Sequence, residues 1–534
     1  MLGARTRGAR EDTSVRPLLE EGVVHARAER ADDAERCFLE ALRREPGNPD
    51  ALNLLGLVAY RRTHYAAAAA RFEAALASGG EVADFRANLG LALEGLGRLR
   101  EAGEACRRAI ALAPAELRYR LRLLFLLGQD PATSPEALRE AHRSVAAAFV
   151  DRGPQAAFPA ARFADPERRL RIGYVSGDFR MHAIAYFIEP LLAARDRDAF
   201  EVFCYQTLAE ADERTERFRA LADRWHDVSG LADEAFAALV RSHEIDLLVD
   251  LAGLTTGNRL LALARRPAPV QVSYLGYLAT TGAAAMDYRI TDALADPPGA
   301  VDGWYTETLV RLPRSFWCFA PLERMPAPLD RGDAHAEAVV FGSFNRLAKV
   351  RTEVLRLWGR MLAQVPGSEL WVLDVRGDEA RERVASAIAA AGVAPARVKT
   401  WDRLPPESYW DRIRRADIAL DTFPYNGGAT TCECLWLGVP VVTRAGAMGF
   451  ARSATSILGN VGLAELVAGS EDEYVAIAVR LATDRSRLRA LQRGLRARLL
   501  ASPLVDARGF LRDLERAYRD LWRRACAARA SDSE

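Results

Sequence analysis

The amino-acid sequence predicts an α-helical repeat region followed by two α/β domains, and three observations lead to this prediction. Small and bulky side chains recur at a fixed spacing between residues 15 and 116. From residue 170 onward, short β-rich runs alternate with helical stretches. Within residues 421–440, a glycine turn joins the apolar run just before it, Asp417–Leu420, to a helix, and a second apolar run, Val439–Thr443, follows at once. A chain of 534 residues exceeds one hydrophobic core, so several domains are expected.

The repeat region has a period of 34 residues, which is the length of a tetratricopeptide repeat. Each column of the repeat keeps one kind of residue: glycine, alanine, a bulky side chain, or a closing helix breaker. The columns are Gly22, Gly56, Gly90; Ala34, Ala68, Ala102; Ala41, Ala75, Ala109; Phe38, Phe72, Cys106; and Pro46, Gly80, Pro114. Small residues where two helices cross, beside a bulky one, are typical of tetratricopeptide helix pairs. We therefore predict three pairs whose concave surface binds peptides or partner proteins.

Composition and charge argue against several classes of protein. Half of the residues are hydrophobic, yet no apolar run reaches membrane-spanning length, which indicates a soluble globular protein. Met1–Arg10 is basic but lacks the apolar core of a secretory signal. A net charge of +1 gives no support to nucleic-acid binding. Seven cysteines without a disulfide or zinc pattern are typical of a reducing compartment, so we expect a cytoplasmic protein without a membrane span.

The predicted domain boundaries follow changes in pattern along the chain. Helical periodicity continues past the repeats, and Gly153-Pro154 marks a linker before the first β-rich run. The predicted segments are a disordered basic tail (1–14), repeats (15–116), a helical cap and linker (117–167), an N-terminal Rossmann-like domain (168–320), a C-terminal Rossmann-like domain (336–505), and a C-terminal helix and tail (506–534).

Two series of strands are expected, one in each Rossmann-like domain. Strands separated by helices form parallel sheets, and ligands of such sheets bind at the carboxyl ends of the strands. The first series is Leu170–Ser176, Phe200–Tyr205, Ile245–Asp250, Val270–Leu275 and Tyr288–Thr291. The second series is Val339–Phe344, Leu370–Leu373, Arg397–Trp401, Ile418–Asp421 and Val439–Thr443.

The turn and helix within residues 421–440 have the pattern of a phosphate-binding element. Free backbone N–H groups and the positive end of a helix attract an anion, and glycines let the backbone come close. Thr430 and Thr431 open the helix and add hydroxyl donors. Thr430 and Glu433 also have the spacing of a capping box. The alternative interpretation is an ordinary βα turn before a well-capped helix.

Lysine is rare in this chain, which gives each lysine added interest. Basic residues are almost all arginine, and the only lysines are Lys349 and Lys399. A lysine kept where arginine is usual can be needed as a compact point charge. Lys349 follows the predicted strand Val339–Phe344, in a position to reach a ligand at its carboxyl end.

Several blocks of the α/β region together resemble one known family. The blocks are Arg266–Gln271, Met286–Asp292, Phe341–Val350, Asp421–Tyr425 and Thr430–Glu433. In this order, and with the repeats before them, they resemble the SPINDLY / O-GlcNAc transferase family, glycosyltransferase family 41. The likeness covers roughly residues 170–500, and its details favour the SPINDLY branch. It implies a GT-B catalytic region of two Rossmann-like domains that moves a sugar from a nucleotide donor to Ser or Thr hydroxyls.

The resemblance also implies a donor diphosphate site around Lys349, with Asn345 and Arg346 beside it. The Lys349 ammonium would neutralise charge on the departing nucleotide; the alternative is a surface lysine. The helix start would hold the same diphosphate through a short run of residues, namely Gly428, Ala429, Thr430 and Thr431. We find no Asp-x-Asp motif placed to serve the donor. We therefore expect no metal and no cofactor beyond the nucleotide-sugar substrate.

Further residues are expected around the nucleotide by the same resemblance. Glu433 would accept hydrogen bonds from ribose hydroxyls, with the capping box as its alternative role. Leu404 falls where the family walls the base with backbone groups. Arg412 aligns with a family arginine close to the nucleotide, but Arg414 and Arg415 near it leave a solvated helix face as an alternative.

His182 is the candidate catalytic residue of the first domain. It follows the first predicted strand in Ser176–His182, within a motif that matches the family. An imidazole there could accept the proton of the acceptor hydroxyl or orient the sugar. A structural histidine is the alternative, and donor phosphate or a water chain could serve as the base instead.

The predicted function is inverting, metal-independent transfer of GlcNAc from UDP-GlcNAc to proteins held by the repeat groove. SPINDLY-type fucose transfer from GDP-fucose is an alternative, and so is a small-molecule acceptor. Leu254 stands where SPINDLY relatives usually have histidine, and the segment Gly446–Phe450, which includes Gly449, lacks a histidine seen in many relatives. They leave a third alternative open, a catalytically silent repeat scaffold with a nucleotide-sensing GT-B module.

Overall fold

The fold is that of a computed structural model, which describes residues 14–151, 157–330 and 338–531. The chain forms two compact units: one extends to Leu126 and includes Arg376–Ala380, and the other comprises Leu127–Val375 and the chain from Arg381. The predicted fold class is confirmed, because helical repeats precede two parallel α/β sheets. The predicted basic tail, except Ser14, and the Gly153-Pro154 linker lie outside the described residues.

Six helices form the repeat region, with small residues packed against bulky ones. A Cβ on Gly22 would lie 2.3 Å from the ring of Phe38. A Cβ on Gly56 would lie 2.5 Å from the ring of Phe72. In the third pair, the smaller Cys106 takes the bulky position. Glycine therefore lets the two helices of a pair approach closely. The helices are α1 (Arg16–Arg27), α2 (Ala31–Arg44), α3 (Pro49–Arg61), α4 (Tyr65–Gly79), α5 (Ala83–Gly95) and α6 (Leu99–Leu112).

A Gly56→Ala substitution tests this packing. The added methyl would overlap the buried Phe72 ring, and overpacking of a core costs about 1–3 kcal/mol. Gly103→Ala is the matched control, because a Cβ there meets only the flexible end of Arg107, at 3.7 Å. Alanine is also the better helix former at both positions. We expect Gly56→Ala to lower the free energy of unfolding by about 1–3 kcal/mol relative to Gly103→Ala, measured by urea unfolding. Equal stability of the two variants would contradict this packing.

Two helices and a short π-helical turn follow the repeats. They are α7 (Leu117–Gln129), α8 (Pro135–Val145) and the π-helical turn Ala146–Val150. The Ser134 side chain caps α8 by accepting a hydrogen bond from the backbone N–H of Ala137 at 3.2 Å. Capping by serine at this position satisfies one of the donors that a helix start leaves unpaired.

The first α/β layer is a seven-stranded parallel sheet in the order β3-β2-β1-β4-β5-β6-β7. Its central strands are almost entirely buried, since helices cover both faces of a parallel sheet. The elements are β1 (Leu170–Ser176), α9 (Ala185–Ala194), β2 (Phe200–Gln206), α10 (Glu213–Leu221), β3 (Arg224–Asp227), α11 (Asp233–Ser242), β4 (Leu247–Asp250), α12 (Leu260–Leu263), β5 (Val270–Ser273), β6 (Tyr288–Asp292) and β7 (Thr308–Leu312).

The second layer is a six-stranded parallel sheet in the order β10-β9-β8-β11-β12-β13. The elements up to the last strand are β8 (Val340–Ser343), α13 (Thr352–Gln364), β9 (Glu369–Val372), α14 (Asp378–Ala389), β10 (Val398–Thr400), α15 (Pro406–Arg415), β11 (Ile418–Leu420), α16 (Ala429–Trp436), β12 (Val441–Arg444), α17 (Ser453–Asn460) and β13 (Val467–Ala468). Three helices end the chain: α18 (Glu471–Thr483), α19 (Arg485–Leu500) and α20 (Ala507–Ser531).

Three strands are absent from the sequence-based prediction: β3, β7 and β13. All three lie at sheet edges, where β3 is partly exposed and polar and β13 has only two residues. Edge strands need not be apolar on both faces, so they lack the continuous apolar run that identifies a central strand.

The last helix, α20, returns to the first sheet. The Tyr518 hydroxyl lies 3.3 Å from the Tyr174 hydroxyl of β1. Arg314, which follows β7, pairs with Asp506 at 3.0 Å and with Asp513 at 2.8 Å. The C-terminal segment thus packs against the first sheet, although it follows the second sheet in the chain. Across the described ranges, no helix is long and apolar enough to cross a lipid bilayer.

Candidate functional site

The topology of each sheet identifies one place for a ligand. In the second sheet, strand order changes direction between the neighbours β8 and β11, and in the first sheet between β1 and β4. Open α/β sheets bind ligands outside the carboxyl ends of such strands. The loop after β8 holds Asn345–Lys349, the loop after β11 holds Asp421–Gly428, and the loop after β1 holds His182. Together with the start of α16, which follows the β11 loop, these loops contain most of the predicted site residues.

Lys349 lies against the loop that follows β11. Its Nζ donates a hydrogen bond to the carbonyl oxygen of Asn426 at 3.1 Å and lies 4.4 Å from the centre of the Tyr425 ring. Burial lowers the pKa of the Lys349 ammonium to about 8, although the Asp421 carboxylate opposes this shift. The structure therefore joins the two predicted phosphate-binding segments through a half-buried cation.

Asp421 organises the same loop. Its carboxylate accepts hydrogen bonds from the Thr443 hydroxyl at 2.6 Å and from the backbone N–H of Gly427 at 2.8 Å. The Asn345 side-chain amide donates a third, at 3.1 Å. Burial raises the pKa of Asp421 to about 6, while the Thr443 hydroxyl, the Gly427 N–H and Lys349 act in the opposite direction. Asn345, predicted beside the donor, thus holds the β8 loop against the β11 loop.

Helix α16 starts at the predicted position, but the predicted capping box is wrong. Gly428 is the N-cap, and no side chain caps the helix. Thr431 instead donates its hydroxyl to the carbonyl oxygen of Gly427 at 2.8 Å. Thr430 is half-buried and lines a small cavity with Asn345. The first N–H groups of a helix lack partners within it, so those at Ala429–Thr431 are directed at whatever binds this end.

Glu433 does not cap the start of α16, because its carboxylate binds aromatic donors instead. Its carboxylate accepts hydrogen bonds from the Tyr186 hydroxyl at 2.9 Å, from the Trp410 indole N–H at 3.0 Å and from the Tyr409 hydroxyl at 3.4 Å. Burial raises the pKa of Glu433, and these three donors oppose the rise. Tyr186 belongs to α9 of the first layer, so Glu433 joins the two layers.

His182 faces the second layer from the loop after β1. Its Nδ1 lies 3.6 Å from a carboxylate oxygen of Asp178 and accepts a hydrogen bond from the Ile184 N–H at 3.4 Å. Burial lowers the pKa of His182; Asp178 opposes this, and the nearby guanidinium groups of Arg346 and Arg180 add to it. Arg346 comes from the β8 loop, so the loop that carries Lys349 comes within electrostatic range of the predicted catalytic histidine.

Arg412 and Leu404 lie near β10, the edge strand of the second sheet. The Arg412 guanidinium lies over the rings of Trp401 and Trp371, 4.4 and 5.3 Å from their centres. Leu404 is half-exposed in the segment between β10 and α15. Arg412 is therefore neither a freely solvated residue nor a direct neighbour of Lys349 among the contacts found.

The sequence-based prediction did not identify the aromatic residues of the site. Tyr425 supports Lys349 and stacks on Phe450 at 5.4 Å. Trp317, from the first layer, lies against the helix start, since a Cβ on Gly428 would be 3.0 Å from its ring. Tyr425 ends the Asp421–Tyr425 motif, which offered a signal. Trp317 offered none, because its role depends on contact between the layers.

Comparison with protein-family models identifies both parts of the chain. The model of glycosyl transferase family 41 matches residues 143–325 and 331–514. A tetratricopeptide repeat model matches residues 19–63 and 57–116. The family match covers more than half of the chain.

Similar proteins agree with this assignment. The chain is 42% identical over 407 residues to the probable UDP-N-acetylglucosamine–peptide N-acetylglucosaminyltransferase SPINDLY of Solanum lycopersicum, covering 73% of this chain and 42% of that protein. It is 27% identical over 474 residues to the UDP-N-acetylglucosamine–peptide N-acetylglucosaminyltransferase of Caenorhabditis elegans, covering 67% of this chain and 41% of that protein. The chain thus spans about two fifths of the length of these relatives.

A solved structure gives the same assignment at the level of the fold. A mutant of the Thermobaculum terrenum O-GlcNAc transferase superposes with a TM-score of 0.90 and 36% identity, covering 98% of this chain and all of that one. The predicted family is confirmed: this chain belongs to glycosyl transferase family 41, with tetratricopeptide repeats before its two-layer α/β region.

Proposed function

We propose that this chain transfers a sugar from a nucleoside diphosphate donor to Ser or Thr hydroxyls of proteins, by an inverting reaction that needs no metal ion. The observation that carries the proposal is the Lys349 ammonium held 3.1 Å from the Asn426 carbonyl, beside the start of α16. A fixed cation next to a helix N-terminus provides charge and N–H donors for a diphosphate.

In the proposed reaction, the acceptor hydroxyl oxygen bonds to the anomeric carbon on the face opposite the diphosphate. The bond from that carbon to the phosphate oxygen breaks, and negative charge moves onto the leaving diphosphate. Lys349 and the N–H groups of Ala429–Thr431 stabilise this charge more strongly in the transition state than in the bound donor. These groups take the role that a divalent cation serves in other nucleotide-binding sites.

His182 is the proposed acceptor of the hydroxyl proton. Its lowered pKa leaves the imidazole neutral at pH 7, which is the form that can accept a proton. Asp178, 3.6 Å away, would stabilise the imidazolium as it forms. Asn345 positions the β8 loop, and Arg346 adds positive charge between the two layers.

The nucleoside would extend from the start of α16 toward α15. Glu433 has three donors and about four lone-pair sites, so one site remains for a ribose hydroxyl. Leu404 and Arg412 would border the base, with Arg412 fixed on its two tryptophan rings. The proposed donor is UDP-GlcNAc, which is supported by the names of the relatives in plants and in Caenorhabditis elegans.

Binding of UDP is expected to weaken as pH rises through about 8. Lys349 attracts the diphosphate only while it is protonated, and its pKa is about 8. Above that pH, binding must also take up a proton, so the affinity falls toward about tenfold per pH unit. A Lys349→Arg variant keeps its charge and should show a flat profile. Calorimetric titration with UDP between about pH 7 and 9.5 measures both, and a wild-type profile as flat as that of the variant would contradict the assigned pKa.

Transfer itself is tested with a library of Ser/Thr peptides and each nucleotide sugar, read by mass spectrometry. Addition of N-acetylhexosamine from UDP-GlcNAc supports the proposal. Addition of deoxyhexose from GDP-fucose alone would replace it with SPINDLY-type fucose transfer. Binding of nucleotide without transfer to peptide or water would favour the silent scaffold.

Two positions give structural support to the alternative of a catalytically silent scaffold. Leu254 is buried, where SPINDLY relatives usually have histidine. A Cβ on Gly449 would lie 3.1 Å from the Leu278 carbonyl oxygen and 3.3 Å from the Tyr305 hydroxyl, so an imidazole at position 449 needs movement of its neighbours. Neither position contacts Lys349 or the start of α16 among the hydrogen bonds found.

A further inference from the structure

The first helix pair brings together three side chains with metal-binding atoms. Glu21 and His25 are one helical turn apart on α1, and Cys37 lies on α2. Their ligand atoms all lie within 4.8 Å of one another. The close crossing of α1 and α2 at Gly22, where the Phe38 ring leaves no space for a Cβ, accounts for this proximity.

The two ring nitrogens of His25 face different carboxylates. Its Nε2 is 3.7 Å from Glu21 Oε1, and its Nδ1 is 3.9 Å from Asp33 Oδ2. Both distances are too long for hydrogen bonds. Within the part of the chain that the structure describes, the buried Nδ1 has no hydrogen-bond partner. Because Nδ1 lies on the Asp33 side, Nε2, on the Glu21 side, is the nitrogen placed to bind an ion together with the Glu21 carboxylate.

The repeat pattern gives a competing explanation that covers only part of the cluster. One period later, Glu21 and His25 correspond to Leu55 and Ala59, and Cys37 corresponds to Arg71. Terminal repeats of a solenoid carry polar residues where internal repeats are apolar. This accounts for an exposed glutamate. It does not account for a thiol and an imidazole that converge with the carboxylate on one point.

The donor set selects the class of ion. A thiolate, an imidazole and a carboxylate suit a borderline-soft divalent ion such as Zn²⁺, whereas Mg²⁺ and Ca²⁺ take oxygen ligands. Tetrahedral Zn²⁺ with bonds of 2.0–2.3 Å separates its ligands by about 3.3–3.7 Å. Closing the observed cluster to that size needs side-chain movements of about 1 Å.

We propose that Glu21, His25 and Cys37 form a binding site for one Zn²⁺-type ion, which ties α1 to α2. Solvent would complete the coordination, and the Asp33 carboxylate would orient the imidazole from outside the ligand shell, as carboxylates do at many zinc sites. The site is separate from the proposed sugar-transfer chemistry, because it belongs to the repeat unit and shares no residue with the α/β region.

The test uses the full chain, stripped with a chelator and titrated with Zn²⁺ by calorimetry. We expect one ion per chain and at least tenfold weaker binding in each of His25→Ala and Cys37→Ser. Replacing Zn²⁺ by Co²⁺ should give a thiolate-to-metal absorption band that Cys37→Ser abolishes. His64→Ala, an exposed histidine of the same unit, and Cys526→Ser serve as matched controls and should leave binding unchanged.

Circular dichroism of the apo variants separates loss of the site from loss of the fold. Folded variants that still bind Zn²⁺ like the wild type would overturn the proposal, as would a wild-type chain that binds no Zn²⁺. Binding abolished by the controls as well would place the ion elsewhere and equally reject this site. Should either variant fail to fold, Glu21→Gln, at an exposed position, provides the third test, with the same expected loss of affinity.

Discussion

A Lys349→Ala variant is expected to lose sugar transfer by about 100- to 1,000-fold in kcat, as on removal of one charge-stabilising donor from an active site. The ammonium is held in place by the Asn426 carbonyl and the Tyr425 ring, so it needs little reorganisation to meet the diphosphate. That loss equals about 3–4 kcal/mol of transition-state stabilisation. The measurement is donor turnover with a peptide acceptor, together with UDP affinity.

The chain offers one matched control, because it has only one other lysine. Lys399 lies on the edge strand β10 and is half exposed, with its Nζ 2.8 Å from a carboxylate oxygen of Glu369. A surface ion pair of this kind contributes at most about 1 kcal/mol. Lys399→Ala should therefore retain wild-type turnover. Equal rates for wild type, Lys349→Ala and Lys399→Ala would remove Lys349 from the mechanism.

A His182→Ala variant is expected to lower kcat by about 100- to 10,000-fold, the usual contribution of a general base. Its affinity for UDP should stay close to that of the wild type, because His182 belongs to the first layer and the diphosphate site to the second. The separation of kcat from nucleotide affinity distinguishes proton transfer from general damage to the site. Steady-state kinetics and calorimetry on the same preparation measure the two quantities.

The exposed His64 provides the control for histidine removal, and His64→Ala should behave as wild type. Rising activity of the wild type with pH, through a pKa below the usual histidine value, should accompany the effect. If His182→Ala retained wild-type kcat, the proton would leave by another route, such as a donor phosphate oxygen or a water chain. That result would reject His182 as the base but would leave the proposed diphosphate site unaffected.

Local pattern and motif were sufficient to predict the central strands and the positions of the two loops that form the proposed diphosphate site. A short β-rich run identified β1 and a short apolar run identified β11, because strands of parallel sheets are buried on both faces. The positions of the Lys349 loop and of the turn before α16 are predictable because both follow neighbouring strands, β8 and β11, where the strand order of the sheet changes direction. Glycine spacing likewise predicted the packing of Gly56 on Phe72.

Contacts between distant residues account for what the sequence could not show. Glu433 has the spacing of a capping partner, yet Tyr186, 247 residues earlier, and Trp410 take its carboxylate. The prediction that Thr430 caps α16 is wrong because Gly428 is the N-cap residue. A buried carboxylate binds whichever donors the assembled layers bring to it, and local spacing does not contain that information.

The most direct test of the account is calorimetric titration of the purified chain with UDP, GDP, UDP-GlcNAc and GDP-fucose, without added metal. The account predicts micromolar binding of UDP and UDP-GlcNAc that Lys349→Ala weakens strongly and Lys399→Ala leaves unchanged. Binding of none of the four ligands would mean that the loop before α16 is an ordinary βα turn, and would contradict the proposed diphosphate site.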